Sequence, residues 1–350
     1  MRDAGAIARD IWYGTDAVAG VARFVLTPFE RVFGGIVGAR DVLYDAGWLA
    51  SHDTAIPAIS VGNLTVGGTG KTPVAAWIAE GLVARGAKPA IVLRGYGDDE
   101  PLVHETLNPS VPVVIGADRV AAIEDAARRG ADIAVLDDAF QHRRAQRVAD
   151  IVVISADQWT PVLRMLPAGP WREPLRAVRR ATLVIVTRKA APDAVVEEVH
   201  QRVAAVAPSV PRVSVVLAPG ELVGATGSHE ALSLDVLRGR VVRAIVSIGD
   251  PAAFVRQLEA LGATVHARVF PDHHTFSQAE IEGFASGSNA DDLVVCTLKD
   301  AVKLRHGWPR LAPPLYYVSQ RVMVERGVGG IERVLDDLVR TRSMTSPNAG

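Results

Sequence analysis

The first fifty residues carry an apolar stripe at helical spacing. From Val18 onward, large apolar residues recur at steps of three and four positions, through Val21, Val25, Phe29, Val32 and Ile36. Charged and hydroxyl residues fall on the opposite side, so the spacing predicts an amphipathic helix. Thr27-Pro28-Phe29-Glu30 has the form of a capping box with proline at the first helical position. We therefore expect a break there, with a second helix running from Pro28 towards Leu43.

The stripe has two interpretations. Such a face most often packs against its own domain, and in that case it is part of the core. A helix that lies in the membrane interface has the same pattern, and Arg23, Arg31 and Arg40 flank the apolar positions here. The pattern alone leaves both open.

Between residues 56 and 187, short apolar runs alternate with helical patterns. This alternation predicts a mostly parallel sheet flanked by helices, with ligands bound at the carboxyl ends of the strands. The predicted strands are Ile56–Val61, Ala90–Leu93, Val111–Ile115, Ile133–Leu136, Ile151–Ser155 and Leu183–Thr187, and the predicted helices are Pro73–Leu82 and Asp118–Arg129.

The pattern changes after Val186. A helix is predicted over Ala191–Val206, and Pro208–Arg240 is rich in proline, glycine and serine, which is typical of a linker. A second alternating set follows. Its predicted strands are Val241–Ile248, Thr264–Phe270, Leu293–Cys296 and Leu315–Val318, and its predicted helices are Pro251–Leu261, Gln278–Ala285 and Gly330–Arg340.

The predicted organisation has five parts. They are an N-terminal amphipathic helical region (1–50), an α/β domain (51–207), a linker (208–240), a second, smaller α/β domain (241–342) and a flexible tail (343–350). A length of 350 residues fits two domains.

Composition narrows the class of protein. Apolar residues make up 49% of the chain, yet no uncharged apolar run approaches the roughly 18 residues of a spanning helix. The net charge of −1 argues against nucleic acid as the main partner. The single cysteine, Cys296, lies in an apolar run and is predicted to be in the core, which fits a reducing cytoplasm. Charged residues interrupt the N-terminus, so no cleavable signal peptide is expected.

The chemistry begins at residues 56–72, which read IPAISVGNLTVGGTGKT. A strand, a glycine-rich loop and Gly70-Lys71-Thr72 at the start of a helix are the context of a phosphate-binding P-loop. Glycines let backbone N–H groups turn towards a phosphate, and the helix N-terminus adds partial positive charge. Lys71 would reach the β- and γ-phosphates, and the Thr72 hydroxyl would hold Mg²⁺. The predicted nucleotide-binding residues are Thr65, Val66, Gly67, Gly68, Thr69, Gly70, Lys71 and Thr72, with Thr65 where the strict pattern has glycine.

Two further sites follow predicted strands. Asp137-Asp138 ends the apolar run Ile133–Leu136, and a carboxylate there, across from Thr72, would complete a magnesium site. The motif therefore indicates a P-loop NTPase-type fold. His273 and His274 follow the predicted strand Thr264–Phe270, where zinc ligation and a structural cap are both open interpretations.

Several motifs occur in one order along most of the chain. They are Gly62–Pro73, Arg94–Gly97, Asp99-Glu100-Pro101, Asp137–Arg144, Leu166–Pro174, Phe270–His273 and Lys299–Lys303. In this order they resemble the tetraacyldisaccharide 4′-kinases of lipid A biosynthesis.

The resemblance implies a membrane-associated kinase. It implies transfer of the ATP γ-phosphoryl group to the 4′-hydroxyl of a tetraacylated disaccharide 1-phosphate, at the cytoplasmic face of the bacterial inner membrane. ATP and Mg²⁺ are the implied cofactors. The partners are the lipid substrate and the membrane surface, with no nucleic acid and no obligate protein partner. An acylated substrate stays in the bilayer, so the resemblance also favours the membrane interpretation of the N-terminal stripe.

The resemblance also implies residue roles. Asp99 is the expected base for the acceptor hydroxyl, with His273 orienting it or sharing the proton, and Lys71 binds the transferred phosphoryl group. Thr72, Asp138 and Glu173 are the expected magnesium ligands.

Some positions depart from the family pattern. Asp98 stands where the family has glycine, so Asp98 and Asp99 are both candidate bases, with Asp99 preferred. The arginines around the predicted site are interpreted mainly as a solvated face, one or two of them binding the substrate 1-phosphate or lipid headgroups. They are Arg143, Arg144, Arg147, Arg172, Arg176, Arg179 and Arg180.

Two other functions remain open from the residues themselves. One is a P-loop regulatory ATPase that binds a partner, and the other is a soluble small-molecule kinase or ligase.

Overall fold

The computed structural model describes residues 4–95, 97, 99–226, 231–272, 274–286 and 292–345. The chain divides into two compact units. The first unit consists of Ile7–Tyr96, His104–Leu217 and Val322–Gly350, and the second of Met1–Ala6, Gly97–Val103 and Ala218–Arg321.

The first unit is built on a parallel sheet. Its strands are β1 (Ala58–Asn63), β2 (Pro89–Leu93), β3 (Val113–Ile115), β4 (Ile133–Asp137), β5 (Ala149–Ser155), β6 (Leu183–Arg188) and the first part of β7 (Arg212–Gly224). They lie in the order β3-β2-β4-β1-β5-β6-β7 and pair in parallel. Most of these strands are apolar on both faces because helices cover both sides of the sheet.

Helices occupy the strand crossovers of this unit, as right-handed parallel connections require. They are α3 (Lys71–Ala84), α5 (Arg119–Arg128) and α6 (Asp193–Val206). The C-terminal α10 (Val328–Thr345) follows the last strand and packs on the same core. The helix α4 (Asp99–Leu107) begins in the second unit and ends in the first. The predicted mostly parallel α/β fold is confirmed.

The N-terminus contains α1 (Ala4–Tyr13) and one long helix, α2 (Ala17–Asp45). The predicted break at Pro28 is wrong, because α2 continues through it. Thr27 donates its hydroxyl to the Arg23 carbonyl instead of capping a new helix. Glu30 accepts hydrogen bonds from elsewhere in the unit, so contacts after the proline offset its cost. Among the described residues, no helix is both long and apolar enough to cross a membrane.

The strands of the second unit pair in parallel in the order β10-β9-β11-β12. These strands are β9 (Val241–Val246), β10 (Thr264–Val269), β11 (Leu293–Thr297) and β12 (Leu315–Arg326), and the short β8 (Ala231–Leu232) pairs antiparallel with the end of β7. Three helices pack on these strands: α7 (Pro251–Ala260), α8 (Gln278–Ser286) and α9 (Leu298–Leu304). Cys296 is fully buried in β11, as predicted.

The predicted linker at 208–240 is wrong. The segment contains all of β7, then β8 and a short 3-10 helix, Leu234–Leu237. Pro219 and Gly220 inside β7 hid the strand, since both residues are uncommon in strand interiors. The units also differ from the predicted domains, because α10 belongs to the first unit although it follows the second unit in sequence. The predicted tail residues 346–350 lie outside the described residues.

Candidate active site

The loop between β1 and α3 has the shape of a phosphate cradle. Gly67 and Gly70 adopt positive φ angles of 119° and 88°, which glycine tolerates without strain. Gly70 is the N-cap of α3, and a Cβ atom there would lie 2.5 Å from Cδ1 of Leu217. Val66, Gly67 and Gly68 are exposed. Their backbone is therefore accessible beside the positive end of the α3 dipole, where anions are favoured.

Hydrogen bonds from residues around the loop hold its backbone in place. Asn63, the last residue of β1, donates its side-chain amide to the Thr69 hydroxyl at 2.8 Å. Thr187 at the end of β6 donates its hydroxyl to the Thr69 carbonyl, also at 2.8 Å. The Val66 N–H donates to the Pro170 carbonyl at 2.8 Å. The loop is thus fixed before any ligand binds, which favours electrostatic stabilisation of a transferring group.

The strand register brings Asp138 to this loop. Val61 of β1 pairs with Asp137 of β4, so both strands end at the same edge of the sheet. Asp138 then turns with a φ of 52° and donates its N–H to the Val61 carbonyl at 2.9 Å. Nζ of Lys71 lies 3.9 Å from Oδ1 of Asp138. The structure therefore brings together Lys71 and Asp138, two of the predicted site residues.

Arg172 forms a fork on the same carboxylate. Its two terminal nitrogens donate to Oδ1 and Oδ2 of Asp138, at 2.7 and 3.2 Å. It also donates to the Asn63 side chain. Burial by itself would raise the pKa of the Asp138 carboxyl, but Lys71 and Arg172 outweigh it and hold that pKa below its ordinary value. Asp138 is therefore a carboxylate at neutral pH and is already surrounded by cations.

A buried pair lies next to this group. Nε2 of His104, on α4, is 2.9 Å from Oδ2 of Asp137, and both side chains are almost completely buried. The pair ties α4 to the end of β4 within the first unit. The Asp137 carboxylate therefore faces His104, and Asp138 is the aspartate that faces Lys71.

The geometry corrects the assignment of Glu173 as a magnesium ligand. Its carboxylate is fully buried, and its two oxygens accept hydrogen bonds from Arg40 on α2 and from Arg180. The Arg180 guanidinium also stacks over the Phe140 ring, 4.6 Å from its centroid. The Glu173 side chain is 0% exposed with a guanidinium group on each oxygen, whereas the Asp138 side chain is 42% exposed, so Glu173 is not accessible to a metal ion in the way that Asp138 is. Glu173 instead joins α2 to the body of the unit.

The arginines expected to be a solvated face are mostly paired with carboxylates. These pairs are Arg143 with Asp45, Arg144 with Asp118, Arg147 with Asp150, Arg172 with Asp138, and Arg180 with Glu173. The interpretation as a solvated face is wrong for the mostly covered Arg143, Arg147, Arg172 and Arg180, whereas Arg144, Arg176 and Arg179 are exposed. Arg172 belongs to the candidate site itself.

The remaining predicted residues belong to the second unit. Asp99 begins α4 and is 4% exposed. Its Oδ2 atom is 3.8 Å from Nζ of Lys299. Asp98 and His273 lie outside the described residues. Nε2 of His274 is 3.2 Å from a Glu280 oxygen, and its ring stacks on Phe270. Among the residues that the structure describes, no group of three His, Cys, Asp or Glu side chains could hold a metal ion, so the zinc interpretation gains no support.

Reasoning from sequence missed Asn63, His104 and Lys299, and it named Arg172 only as one of several arginines around the predicted site, without its contact to Asp138. Asn63 follows an apolar strand directly and Lys299 lies in one of the quoted motifs, so both could have been selected as candidates. The contacts of Arg172 and His104 depend on tertiary register and left no local signal.

The donor set fits magnesium at one place. Asp138 has an ionised, partly exposed carboxylate that already attracts Lys71 and Arg172. Thr72 follows Lys71 in the first turn of α3. A carboxylate and a hydroxyl beside a phosphate cradle are ligands that Mg²⁺ accepts together with phosphate oxygens and water.

Comparison with known proteins gives one consistent result. A family profile described as Tetraacyldisaccharide-1-P 4'-kinase matches residues 22–340. A tetraacyldisaccharide 4'-kinase of Anaeromyxobacter sp. (strain Fw109-5) is 36% identical, over 98% of this chain and 100% of its own length. One from Chlorobaculum parvum is 36% identical, over 80% of this chain and 83% of its own. A crystal structure of "apo" form LpxK from Aquifex aeolicus in complex with ATP is similar with a TM-score of 0.71 and 27% identity, covering 91% of this chain and 99% of that one.

Proposed function

This chain belongs to the tetraacyldisaccharide-1-P 4'-kinase family, and from that premise we propose how its residues carry out the reaction. The activity is ATP-dependent transfer of the γ-phosphoryl group to the 4'-hydroxyl of the tetraacyldisaccharide 1-phosphate in lipid A biosynthesis. The observation that carries the proposal is the fixed glycine loop with Lys71 and Asp138 at its rim.

The nucleotide half of the site acts by position and charge. Backbone N–H groups of the exposed Gly67 and Gly68 and the N-terminus of α3 hold the phosphates, and Lys71 stabilises charge on the transferring group. Thr72 and Asp138 would hold Mg²⁺, which neutralises phosphate charge when bound. Arg172, now on Asp138, supplies a further cation with the fork geometry that suits phosphate oxygens.

The acceptor half needs a base. Asp99 accepts the proton of the 4'-hydroxyl as that oxygen forms its bond to the γ-phosphorus and the bond to the ADP oxygen breaks. His273 orients Asp99 or shares the proton. Asp99 lies in the first turn of α4, where the N-terminus of a helix carries partial positive charge.

Membrane association rests on the polarity of α2, which is inverted relative to an ordinary surface helix. Its polar side faces the protein: the Arg23 guanidinium donates to the carbonyls of Ile11 and Gly14, and Glu30 accepts from the Met165 N–H at 2.7 Å. Its apolar stripe faces outward, with exposed fractions of 59–77% for Val18, Val21, Val25, Phe29, Val32 and Ile36.

A contiguous apolar surface of this kind marks an interaction site. We place α2 in the interface of the cytoplasmic leaflet of the inner membrane, where both ATP and the acylated substrate are accessible. Arg31, on the same helix, would then lie near anionic headgroups.

The test is a transfer assay with three possible products. Purified protein is incubated with γ-labelled Mg·ATP, with and without the lipid disaccharide in mixed micelles. Label in the lipid, lost in a Lys71→Ala variant, supports the proposal. Release of free phosphate alone would indicate a regulatory ATPase, and label in a water-soluble acceptor a soluble kinase; either result would overturn it.

A further inference from the structure

The helix α9 contacts the proposed acceptor base. Its second residue, Lys299, lies with Nζ 3.8 Å from Oδ2 of Asp99, and both residues belong to the second unit. The Lys299 side chain is 30% exposed, whereas that of Asp99 is 4% exposed. A nearly buried carboxylate is costly to desolvate, and a cation at this distance offsets part of the cost.

The residue after Lys299 anchors α9. The Asp300 carboxylate is completely buried and accepts hydrogen bonds from the backbone N–H and the hydroxyl of Ser247, which follows β9. It also accepts from the Thr297 hydroxyl at 2.8 Å, and Thr297 in turn caps the helix by accepting from the Asp300 N–H. The first turn of α9 is therefore fixed to the ends of β9 and β11.

Lys303 completes the anchor one turn later. Its ammonium lies 3.4 Å from Asp300, donates to the Ser247 hydroxyl at 2.6 Å, and donates to the His274 carbonyl at 3.2 Å. Every charged group in this cluster has a partner, as a buried polar network requires. The anchored α9 fixes the Lys299 backbone at a defined position, from which its ammonium reaches to 3.8 Å from the Asp99 carboxylate.

We infer that Lys299 is a positioning residue for the acceptor base, holding the Asp99 carboxylate in place through its ammonium from the anchored helix α9. This inference rests on the proposed function, since it assigns Lys299 a role in the reaction through Asp99. A flexible lysine on an unanchored loop could not fix a carboxylate, and this is why the Asp300 network matters to the argument.

The first experiment separates positioning from substrate binding. Lys299→Met, Lys299→Arg and the exposed control Lys189→Met are compared in the full chain, with KM measured separately for Mg·ATP and for the lipid acceptor. Lys299→Met should lower kcat by about 10- to 100-fold, the cost of a misplaced catalytic group, with both KM values little changed. Lys299→Arg should recover most of kcat because it keeps the charge. Lys189→Met should match the native protein.

The second experiment tests the coupling. In an Asp99→Asn background, Lys299→Met should cost little more, because the two residues act as one unit. A raised KM with kcat intact would show that Lys299 binds a phosphate and would overturn the inference, as would fully additive losses. Thermal melting of each variant, with Lys299→Gln as a second substitution, identifies any loss caused by unfolding.

The outcomes distinguish the inference from the function on which it rests. If Asp99→Asn is fully active, the assignment of the base is wrong and the inference falls with it. If Asp99→Asn is impaired while Lys299→Met is fully active, only the inference is overturned.

Discussion

The negative charge of the Asp138 carboxylate is already balanced by Arg172 and Lys71 before nucleotide binds. The guanidinium fork holds both carboxylate oxygens, and Lys71 lies 3.9 Å away. A metal ion that uses Asp138 would share this carboxylate with the Arg172 guanidinium, and the two positive charges repel each other. Arg172 therefore competes with the metal for the carboxylate, and once displaced it remains close to the phosphates.

This competition can be measured without turnover. In Arg172→Met the Asp138 carboxylate loses its bidentate partner, so Mn²⁺ should bind the nucleotide-free protein several-fold more tightly. ATP should bind more weakly, because the variant lacks a cation near the phosphates. Electron paramagnetic resonance of free Mn²⁺ gives the first affinity and calorimetry the second. Arg179→Met, which removes an exposed arginine from the same region, is the control. Unchanged Mn²⁺ affinity in Arg172→Met would contradict the competition.

The choice between Asp98 and Asp99 is also made at the residue scale. Adjacent aspartates point in different directions, so only one of them can lie within hydrogen-bond reach of the acceptor hydroxyl. Glu100-Pro101 follows Asp99 in the first turn of α4, where the fixed φ of proline restrains the local backbone. Asp99→Asn should lower kcat by roughly 10²–10⁴, and Asp98→Asn should cost much less. Initial rates at saturating substrate concentrations give kcat for both variants. Equal losses of kcat would leave the base unidentified.

Sequence motifs predict Lys71, Thr72 and Asp138 as site residues because each lies at a strand end or a helix start, and the structure brings Lys71 and Asp138 together. The motifs could not identify the partners of these groups. Arg172 is 34 positions from Asp138, and Arg40 is 133 positions from Glu173, so both contacts exist only after the sheet and α2 are assembled. The same limit explains why Glu173 was assigned to the metal: its motif was visible, whereas the arginines that neutralise it were not.

At the scale of elements, α2 shows which part of a helix pattern is reliable. The spacing of apolar residues correctly predicted the helical stripe, but the local capping signal at Thr27 was overridden. A proline inside a helix costs about 3 kcal/mol or more. Here the polar contacts of Arg23 and Glu30, on either side of Pro28, hold the helix to the unit and outweigh that cost.

The exposed stripe leads to a prediction about lipid binding. Replacing Val25, Phe29 and Val32 with serine should weaken binding to liposomes by at least about 100-fold, since each apolar side chain withdrawn from the interface forfeits on the order of 1 kcal/mol or more. Because all three side chains are mostly exposed, thermal stability should change little. Liposome co-sedimentation measures the binding.

A matched control uses exposed apolar residues elsewhere. Val162, Leu311 and Met323 have comparable or greater exposure and lie outside α2. Their replacement with serine should leave liposome binding unchanged. If both triple variants bind liposomes equally well, or if the α2 variant unfolds, the stripe is not a membrane surface.

At the scale of the whole molecule, the order of elements in sequence hid how the units are composed. The alternation of strands and helices predicts two α/β regions, and the chain divides into two compact units with different bounds. The boundaries of the two units could not be predicted from the sequence, because β7 and β12 each contain residues of both units. A composition rich in proline and glycine was mistaken for a linker, although Val213 and Val215 of β7 are part of the first unit's core.

The C-terminal helix α10 provides the test of this organisation. Its apolar face belongs to the same core as α3 and the central strands, through the buried residues Ile331, Val334, Leu335 and Leu338. Burial of four such side chains contributes about 6–12 kcal/mol, at ~1.5–3 kcal/mol each. That amount is comparable with the roughly 5–15 kcal/mol by which a whole domain is stable. Salt bridges from Glu332 and Asp336 to Arg85 add little, because the pairs are largely exposed.

A chain that ends at Gly327 should therefore fail to fold its nucleotide-binding unit, although the deletion removes no residue of the candidate site. We expect insoluble protein, or soluble protein without a cooperative melting transition and without ATP binding. A chain that ends at Thr345 keeps α10 and should melt at the same temperature as the full chain. If α10 belonged to a separate C-terminal domain, as the sequence pattern suggested, the chain ending at Gly327 would still bind ATP with full affinity. Differential scanning calorimetry and ATP titration of both truncations decide between these organisations.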